Sequence, residues 1–102
     1  MQSFVLLKIS NNRKVNNEIK RLPFSDIELS VVVGNYSHVS TGAMINGDCK
    51  IGDGCFLGSQ SVLVNGISIV SGCIVGAGAE VRKDITLKGV YAGNPATLKA
   101  LL

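Results

Sequence analysis

The chain has 102 residues, a net charge of +3 and 46% hydrophobic residues, of which few are aromatic and none is tryptophan. This length suits one domain whose core is built from aliphatic side chains. Twelve glycines beside only two prolines predict an ordered chain with frequent tight turns, and they argue against disorder.

Charge and apolar segments exclude several classes of partner. Early basic residues cluster at Arg13, Lys14, Lys20 and Arg21. Since no aromatic stacking platform accompanies them, a solvated face is favoured over nucleic-acid binding. The apolar segment 4–9 is interrupted by Lys8 and is too short to span a bilayer, and no signal peptide is recognisable. Three cysteines without secretory features indicate reduced thiols and a cytoplasmic protein.

The first predicted elements are a strand over residues 3–9 and a helix over residues 11–22. Val15, Ile19 and Leu22 have helical spacing, and Pro23 would end the helix. One strand and one helix cannot bury their own faces. We therefore treat residues 1–26 as a short strand-helix segment that docks on the rest of the chain or on another subunit.

From residue 27 onward a branched aliphatic side chain recurs at every sixth position. The ten residues at this phase are Ile27, Val33, Val39, Ile45, Ile51, Leu57, Leu63, Ile69, Val75 and Val81. A period of six fits neither an α-helix nor one alternating strand, but it fits a short strand and a corner repeated many times. We expect these side chains to share one core.

A second set of positions, four residues after each of these aliphatics, is uncharged and mostly small. Its members are Val31, Ser37, Ala43, Cys49, Cys55, Ser61, Ile67, Cys73, Ala79 and Ile85. We predict that they point inward beside corners. Although Cys55 and Cys73 would stack closely enough for a disulfide, all three thiols are predicted to be reduced core residues and not nucleophiles. Glycines one position after the large aliphatics, such as Gly34 and Gly52, are expected to supply corner conformations closed to branched residues.

Three hexads close a triangular coil of 18 residues, so residues 18 apart stack at the parallel-strand spacing of about 4.8 Å. One predicted stack runs from Val33 through Ile51 to Ile69. The predicted fold is therefore an all-β solenoid, a parallel β-helix over residues 27–86. Residues 83–89 are predicted to leave the prism, and residues 87–102 to form a capping loop with a short helix-like tail.

The motifs of the middle and late chain resemble one enzyme family. They are YSHVSTGAMINGDCKIGDGCFLGSQSVL (residues 36–63), then IVGAGAEVRKDI and GVYAGNPA. Over residues 31–97 they resemble the sialic acid O-acetyltransferase and UDP-sugar N-acetyltransferase family of hexapeptide-repeat enzymes. The resemblance implies left-handed coiling, a homotrimer and acetyl-CoA as acetyl donor, without a metal. The segment FVLLKISNNRKVNNEIKRL is similar to part of that family's nucleotide-sugar-binding half, with Ser10 where the family has glycine. The resemblance thus implies that residues 1–26 are a remnant of a sugar-nucleotide-binding domain.

The resemblance also implies roles for four residues in a groove between two prisms. His38 would sit beside the acetyl thioester, and the Gly47 backbone N–H would point at the thioester carbonyl, where an oxyanion forms during acyl transfer. Ser59 and Ala77 would lie along the pantetheine arm. For His38, a role as general base and an uninvolved surface position stay open.

Two features depart from the family pattern. Leu29 and Ser30 occupy the positions where family members carry a catalytic histidine and the acid that orients it, and neither can act as a base. The nearby Asp26 and Glu28 are interpreted as solvated charges. The chain is also about half as long as family members, which suggests an internal deletion, a natural truncation or a degenerate paralogue.

Arg82 and Lys83 have two interpretations: contacts to the phosphates of CoA, or solvated surface charge. For the whole chain, the first hypothesis is acetyl transfer from acetyl-CoA to an amine or hydroxyl of a sugar or nucleotide-sugar. The alternative is a truncated, catalytically impaired trimeric scaffold that keeps at most CoA binding. A purely structural solenoid without a ligand is the third hypothesis. Neither nucleic-acid binding nor membrane insertion is expected.

Overall fold

The computed structural model describes residues 14–15, 20–21, 26–27 and 30–102. Their backbone forms a parallel β-helix in which each coil contributes one short strand to each of three walls. The two-residue strands are β1 (Lys14–Val15), β2 (Lys20–Arg21), β3 (Asp26–Ile27), β4 (Val32–Val33), β5 (His38–Val39), β6 (Met44–Ile45), β7 (Lys50–Ile51), β8 (Phe56–Leu57), β9 (Val62–Leu63), β10 (Ser68–Ile69), β11 (Ile74–Val75) and β12 (Glu80–Val81). A C-terminal hairpin adds β13 (Gly89–Ala92) and β14 (Thr97–Leu101).

The three walls follow from the order of strand pairing. Wall 1 has the order β1-β4-β7-β10, wall 2 the order β2-β5-β8-β11-β13-β14, and wall 3 the order β3-β6-β9-β12. The coil pairs are parallel and in register, as when Val33 lies beside Ile51. Each residue therefore pairs with the residue 18 positions away, which confirms the predicted coil length.

The core fills the inside of the prism with the two predicted phases. All ten large aliphatics from Ile27 to Val81 and all ten second-phase residues from Val31 to Ile85 are buried, with at most 5% of any one exposed. Cys49, Cys55 and Cys73 are free thiols in this core. The hexad pattern therefore identified the inward face at every position that it covered.

The corners obtain their shape from a different residue than the sequence suggested. A left-handed backbone recurs at every sixth position, three residues after each large aliphatic from Ile27 to Val75: Ser30, Tyr36, Gly42, Asp48, Gly54, Gln60, Gly66, Gly72 and Gly78. Gly34 and Gly52 are not among them, so the expectation that they supply this conformation was wrong. They are needed for close approach instead, since a Cβ on Gly52 would lie 2.5 Å from the backbone N of Ser71 in the next coil.

The predicted helix over residues 11–22 is wrong wherever the structure describes it. Lys14–Val15 and Lys20–Arg21 are strands that pair in parallel with β4 and β5. Pairing across 18 residues gives these peptide groups main-chain partners in the next coil, and Val15 continues the aliphatic phase two hexads before Ile27. The predicted strand at 3–9 and the rest of the helix lie outside the described residues, and the origin of residues 1–26 stays a prediction.

The C-terminal segment also stays on the prism, contrary to prediction. Ile85 is buried and bridges Ile69, while β13 pairs in parallel with β11. The predicted helix-like tail is wrong, because β14 is a strand antiparallel to β13. The register, with Tyr91 beside Val75, shortens the last coil from 18 to 16 residues. Because the period changes here, a strict six-residue repeat does not predict that wall 2 continues.

Side chains from this segment pack against the core. Tyr91 and Ala96 are partly buried and pack against the core cluster. The Tyr91 hydroxyl donates a hydrogen bond to the carbonyl oxygen of Leu87 at 2.6 Å. Within the described part of the chain, no helix is long and apolar enough to cross a membrane.

Candidate functional site

The outer face of wall 2 carries an apolar column. In each hexad the residue before the large aliphatic points outward, and on wall 2 these residues are His38, Phe56 and Ile74. Phe56 is 42% exposed and Ile74 is 37% exposed. The equivalent residues on wall 1 are Val32, Lys50 and Ser68, of which the last two are polar. We did not predict this contrast, although sorting the outward positions by wall would have found it.

His38 is held in this column by its backbone and by its neighbour. Its N–H donates to the Cys55 carbonyl oxygen at 2.8 Å, which fixes β5 against β8. Its imidazole ring stacks on the Phe56 ring with 4.9 Å between ring centroids and 8° between ring planes. The side chain is half-buried. The imidazole therefore lies against an aromatic ring within the apolar column.

Ser59 and Ala77 are exposed on one corner column, between wall 2 and wall 3. The column is held by main-chain bonds, as when the Gly78 N–H donates to the Ser59 carbonyl oxygen at 2.8 Å. Gly58 precedes Ser59, and a Cβ there would lie 2.6 Å from the Ala77 backbone N. The corner is thus narrow and exposes main-chain atoms over two coils. Such a surface can contact the amide groups of an extended ligand.

Gly47 lies on a different corner, between wall 3 and wall 1. It is partly exposed, and its carbonyl oxygen accepts the Gly66 N–H at 2.9 Å. The whole width of wall 3 separates it from the corner of Ser59 and Ala77, and His38 lies on wall 2 beyond that corner. The four residues suggested by the resemblance are therefore not brought together within one chain.

Arg82 and Lys83 border a pocket of about 300 Å³ that Pro95, Ala96 and Thr97 complete. The Arg82 guanidinium is already engaged: its Nε lies 3.0 Å from Glu80 Oε2, and its Nη2 donates to Asn94 Oδ1 at 2.9 Å. Lys83 is exposed. This pocket thus has a basic rim in which only Lys83 lacks an ion pair with a described residue.

The resemblance predicts a lost catalytic pair at Leu29 and Ser30, and neither side chain can act as a base. Leu29 and Glu28 lie outside the described residues, Asp26 is part of β3, and Ser30 is exposed at a corner with φ of 59°. The thiols are no substitute, because burial raises the pKa of Cys49 and of Cys55 above the ordinary value. Among the described residues, no three His, Cys, Asp or Glu side chains group as metal ligands.

The repeats match the family model described as bacterial transferase hexapeptide (six repeats), over residues 30–65 and 48–83. The chain belongs to this family. The match covers more than half of the chain, and it indicates that the parallel coil is a left-handed β-helix.

Relatives in the family are acetyltransferases. The chain is 31% identical over 64 residues to a chloramphenicol acetyltransferase from Agrobacterium fabrum. The aligned region covers 63% of this chain and 31% of that protein. It is 34% identical over 71 residues to a 2,3,4,5-tetrahydropyridine-2,6-dicarboxylate N-acetyltransferase from Staphylococcus aureus, spanning 62% of this chain and 30% of the relative. The chain thus spans about a third of the length of these relatives.

Solved structures share the fold. A soybean serine acetyltransferase apoenzyme aligns with TM-score 0.72 and 26% identity, over 86% of this chain and 40% of that chain. The acetyltransferase domain of PglB from Neisseria gonorrhoeae, in complex with acetyl coenzyme A, aligns with TM-score 0.66 and 21% identity over 88% and 53%. A mutant perosamine N-acetyltransferase from Caulobacter crescentus, in complex with CoA and GDP-perosamine, aligns with TM-score 0.58 and 24% identity over 90% and 55%.

Proposed function

We propose that this chain is a subunit of a homotrimeric acetyltransferase that transfers the acetyl group of acetyl-CoA to an amine or hydroxyl of a sugar or nucleotide-sugar. The observation that carries the proposal is the distribution of the four residues over separate walls and corners. His38, Ser59 and Ala77 lie on or beside wall 2, whereas Gly47 lies across wall 3. A complete site then needs the Gly47 corner of one protomer to face the wall 2 side of its neighbour.

The apolar column of wall 2 supports this arrangement. Phe56 and Ile74 expose aliphatic and aromatic surface next to His38, and association with a second prism would bury that surface. The neighbouring prism would exclude water from the thioester, which strengthens any hydrogen bond to the developing oxyanion. The Gly47 N–H would supply that bond, and the His38 ring would orient the thioester.

The acetyl-CoA part of the proposal is supported by the solved neighbours, which carry CoA or acetyl coenzyme A on the same fold. The extended pantetheine arm would run along the exposed corner of Ser59 and Ala77. Lys83 would meet the CoA phosphates, since its charge lacks an ion pair with a described residue. Three free thiols suit a reducing compartment, so the proposed location is the cytoplasm.

A second candidate function is a trimeric scaffold that binds CoA without acetylating anything. The observation that favours it is the lack of a second histidine: the chain has His38 alone, and the resemblance places Leu29 where family members carry their catalytic histidine. In this candidate the interprotomer groove is kept and proton abstraction from the acceptor is lost.

Calorimetric titration with acetyl-CoA, on protein whose mass is fixed by light scattering, tests both candidates. We expect a trimer, micromolar affinity and release of free CoA when amino-sugar nucleotides are added. His38→Ala should weaken CoA binding about tenfold, as expected for loss of one polar contact. Lys99→Ala, on the far strand β14, serves as the control and should bind as the unaltered chain does.

Each remaining outcome contradicts a stated part of the proposal. A monomer would contradict the interprotomer cleft. CoA binding without acetylation of any acceptor would favour the scaffold. A trimer that does not bind CoA would contradict both candidates.

A further inference from the structure

Wall 1 has an open groove of about 520 Å³ on its outer face. Its floor runs over three consecutive coils, where Lys50 pairs with Ser68, and Ile69 bridges Ile85 so that Ser68 lies beside Asp84. The outward column is therefore Lys50, Ser68 and Asp84. A small serine between two longer charged side chains leaves a depression in an otherwise flat wall.

The acidic end of the groove is fixed in position. Asp84 Oδ1 accepts a hydrogen bond from the Ser68 backbone N–H at 2.9 Å. In a regular coil a main-chain carbonyl would accept that bond, and the shortened last coil puts the carboxylate there instead. The bond engages one carboxylate oxygen of an exposed side chain, which leaves the other available to a ligand hydroxyl or amine.

The opposite end of the groove is basic. Lys50 is exposed and has no ion pair with Asp84 or with any other described residue. Thr86 adds a hydroxyl to the rim, and Val70, which is 40% exposed, adds aliphatic surface. The groove thus combines a lysine that has no ion pair with any described residue, a carboxylate held by one hydrogen bond, hydroxyls and an apolar patch. This combination suits a hydroxylated ring that carries one anionic group, with its C–H face on the aliphatic surface.

The groove is lined from Lys50 onward and lies beside the corner that carries Gly47. Lys50 follows Gly47 by three residues, and the next two coils reach this corner at Asn65 and Lys83. The corner is continuous, since Gly66 donates to the Gly47 carbonyl oxygen at 2.9 Å. A molecule in the groove would therefore extend toward the N–H that the proposed function assigns to the oxyanion.

We infer that this groove is the acceptor subsite and that it takes a sugar bearing a phosphate or carboxylate. This inference rests on the proposed acetyltransferase function. Lys50 pairs with the anionic group, and Asp84 and Thr86 accept hydrogen bonds from the ring hydroxyls. Ser68 keeps the floor low enough for the ring.

Amide-resolved NMR titration of the full chain with glucosamine 6-phosphate tests the inference, independently of CoA. We expect the amides of Ser68, Val70 and Thr86 to shift at millimolar ligand, and glucosamine without phosphate to bind about tenfold more weakly. Lys50→Gln should abolish that preference for phosphate. Asp84→Asn keeps the oxygen that accepts the Ser68 N–H, so it should weaken binding of both sugars without unfolding the coil.

Two variants and one small ion complete the test. Ser68→Leu should fill the groove and block binding, while Lys99→Gln removes the same charge on β14 and should change nothing. Groove amides that do not shift, or a phosphate preference that survives Lys50→Gln, would overturn the inference. Inorganic phosphate binding as well as the phosphorylated sugar would also overturn it, by showing a plain anion site. Sugar binding in a chain that lacks acetyl-CoA binding would leave the groove standing and contradict the proposed function alone.

Discussion

The Asp53 carboxylate accepts a hydrogen bond from the backbone N–H of Asn35, 18 residues earlier, with 2.7 Å between Oδ1 and N. The N–H of Asp53 in turn donates to Ser71 Oγ in the next coil at 2.9 Å. These bonds form a ladder at the corner between wall 1 and wall 2. The strands are only two residues long, so the ladder ties coils together where strand pairing has stopped.

Asp53→Ala should therefore lower the free energy of unfolding by about 1 kcal/mol, since it removes the acceptor of an exposed, charge-assisted bond. Asp53→Asn keeps a carbonyl oxygen at this position, so its free energy of unfolding should fall by less. Urea denaturation of the two variants beside the unaltered chain measures both values. Equal stability of Asp53→Ala and the unaltered chain would show that the ladder contributes nothing.

Gly58 tests whether a corner glycine is needed for its space and not for its dihedral angle. A Cβ there would lie 2.6 Å from the Ala77 backbone N and 2.7 Å from the Val75 carbonyl oxygen. These are main-chain atoms of the next coil and cannot move aside alone, so we expect Gly58→Ala to cost about 3 kcal/mol.

Gly78→Ala is the matched control for this substitution. Its φ is +70°, and no described residue other than its chain neighbours has an atom within 4 Å of the added Cβ, so only the left-handed backbone is penalised, by about 1 kcal/mol. In thermal denaturation, Gly58→Ala should have a lower midpoint temperature than Gly78→Ala. The reverse order would mean that the coils can separate at low cost.

The sequence predicted the inward-facing residues well because each short strand of a β-helix buries the residue at the same position of its hexad. Val33 and Ile51 are equivalent residues in successive coils, so one phase describes them both. The early strands were missed because Arg21 interrupts the aliphatic phase while Val15, Ile19 and Leu22 imitate a helix. The C-terminal strands were missed because Tyr91 pairs with Val75 at an offset of 16 residues. This offset depends on main-chain pairing, so a six-residue repeat does not predict it.

The candidate site was predicted less completely than the fold. The exposure and corner positions of Ser59 and Ala77 follow from the repeat. The adjacency of Phe56 and His38 also follows from their 18-residue separation, but the repeat does not give the parallel orientation of the two rings. The wall 1 groove depends on Asp84, whose position is set by the shortened coil. Where the period changes, side chains acquire neighbours that the repeat does not specify.

The buried thiols predict a dependence of stability on pH. Burial raises the pKa of Cys49 and Cys55 above the ordinary value of 9.0. Above that value the unfolded chain loses thiol protons that the folded chain keeps, so stability is fully present below it and falls as pH rises toward the folded pKa. The slope reaches at most about 1.4 kcal/mol per pH unit for each thiol.

Urea unfolding from pH 8 to pH 10 measures this dependence. The double variant Cys49→Ala/Cys55→Ala keeps the other titrating groups, so its stability should fall less steeply than that of the unaltered chain over roughly this range. Parallel slopes for the two proteins would contradict the buried-thiol explanation.

The apolar column of wall 2 predicts where a charge will disturb assembly. Ile74→Glu should shift the protein from trimer to monomer in light scattering, because it buries a carboxylate between protomers. Val32→Glu is a matched control, since Val32 is also β-branched and 36% exposed, against 37% for Ile74, but points outward from wall 1. Dissociation by Val32→Glu alone would reassign the interface to wall 1.

Two buried serines should respond in opposite ways to loss of their hydroxyls. Ser37 Oγ donates to the Gly52 carbonyl oxygen at 3.0 Å and accepts the Cys55 N–H at 3.2 Å, whereas Ser61 Oγ is buried with no hydrogen-bond partner among the described residues. Ser37→Ala leaves two main-chain groups unsatisfied and should cost about 1–3 kcal/mol, while Ser61→Ala removes an unpaired polar atom and should be neutral or stabilising. Urea midpoints of the two variants measure the contrast. A comparable loss in Ser61→Ala would reveal a partner for its hydroxyl in the folded protein, most simply an ordered water within the prism.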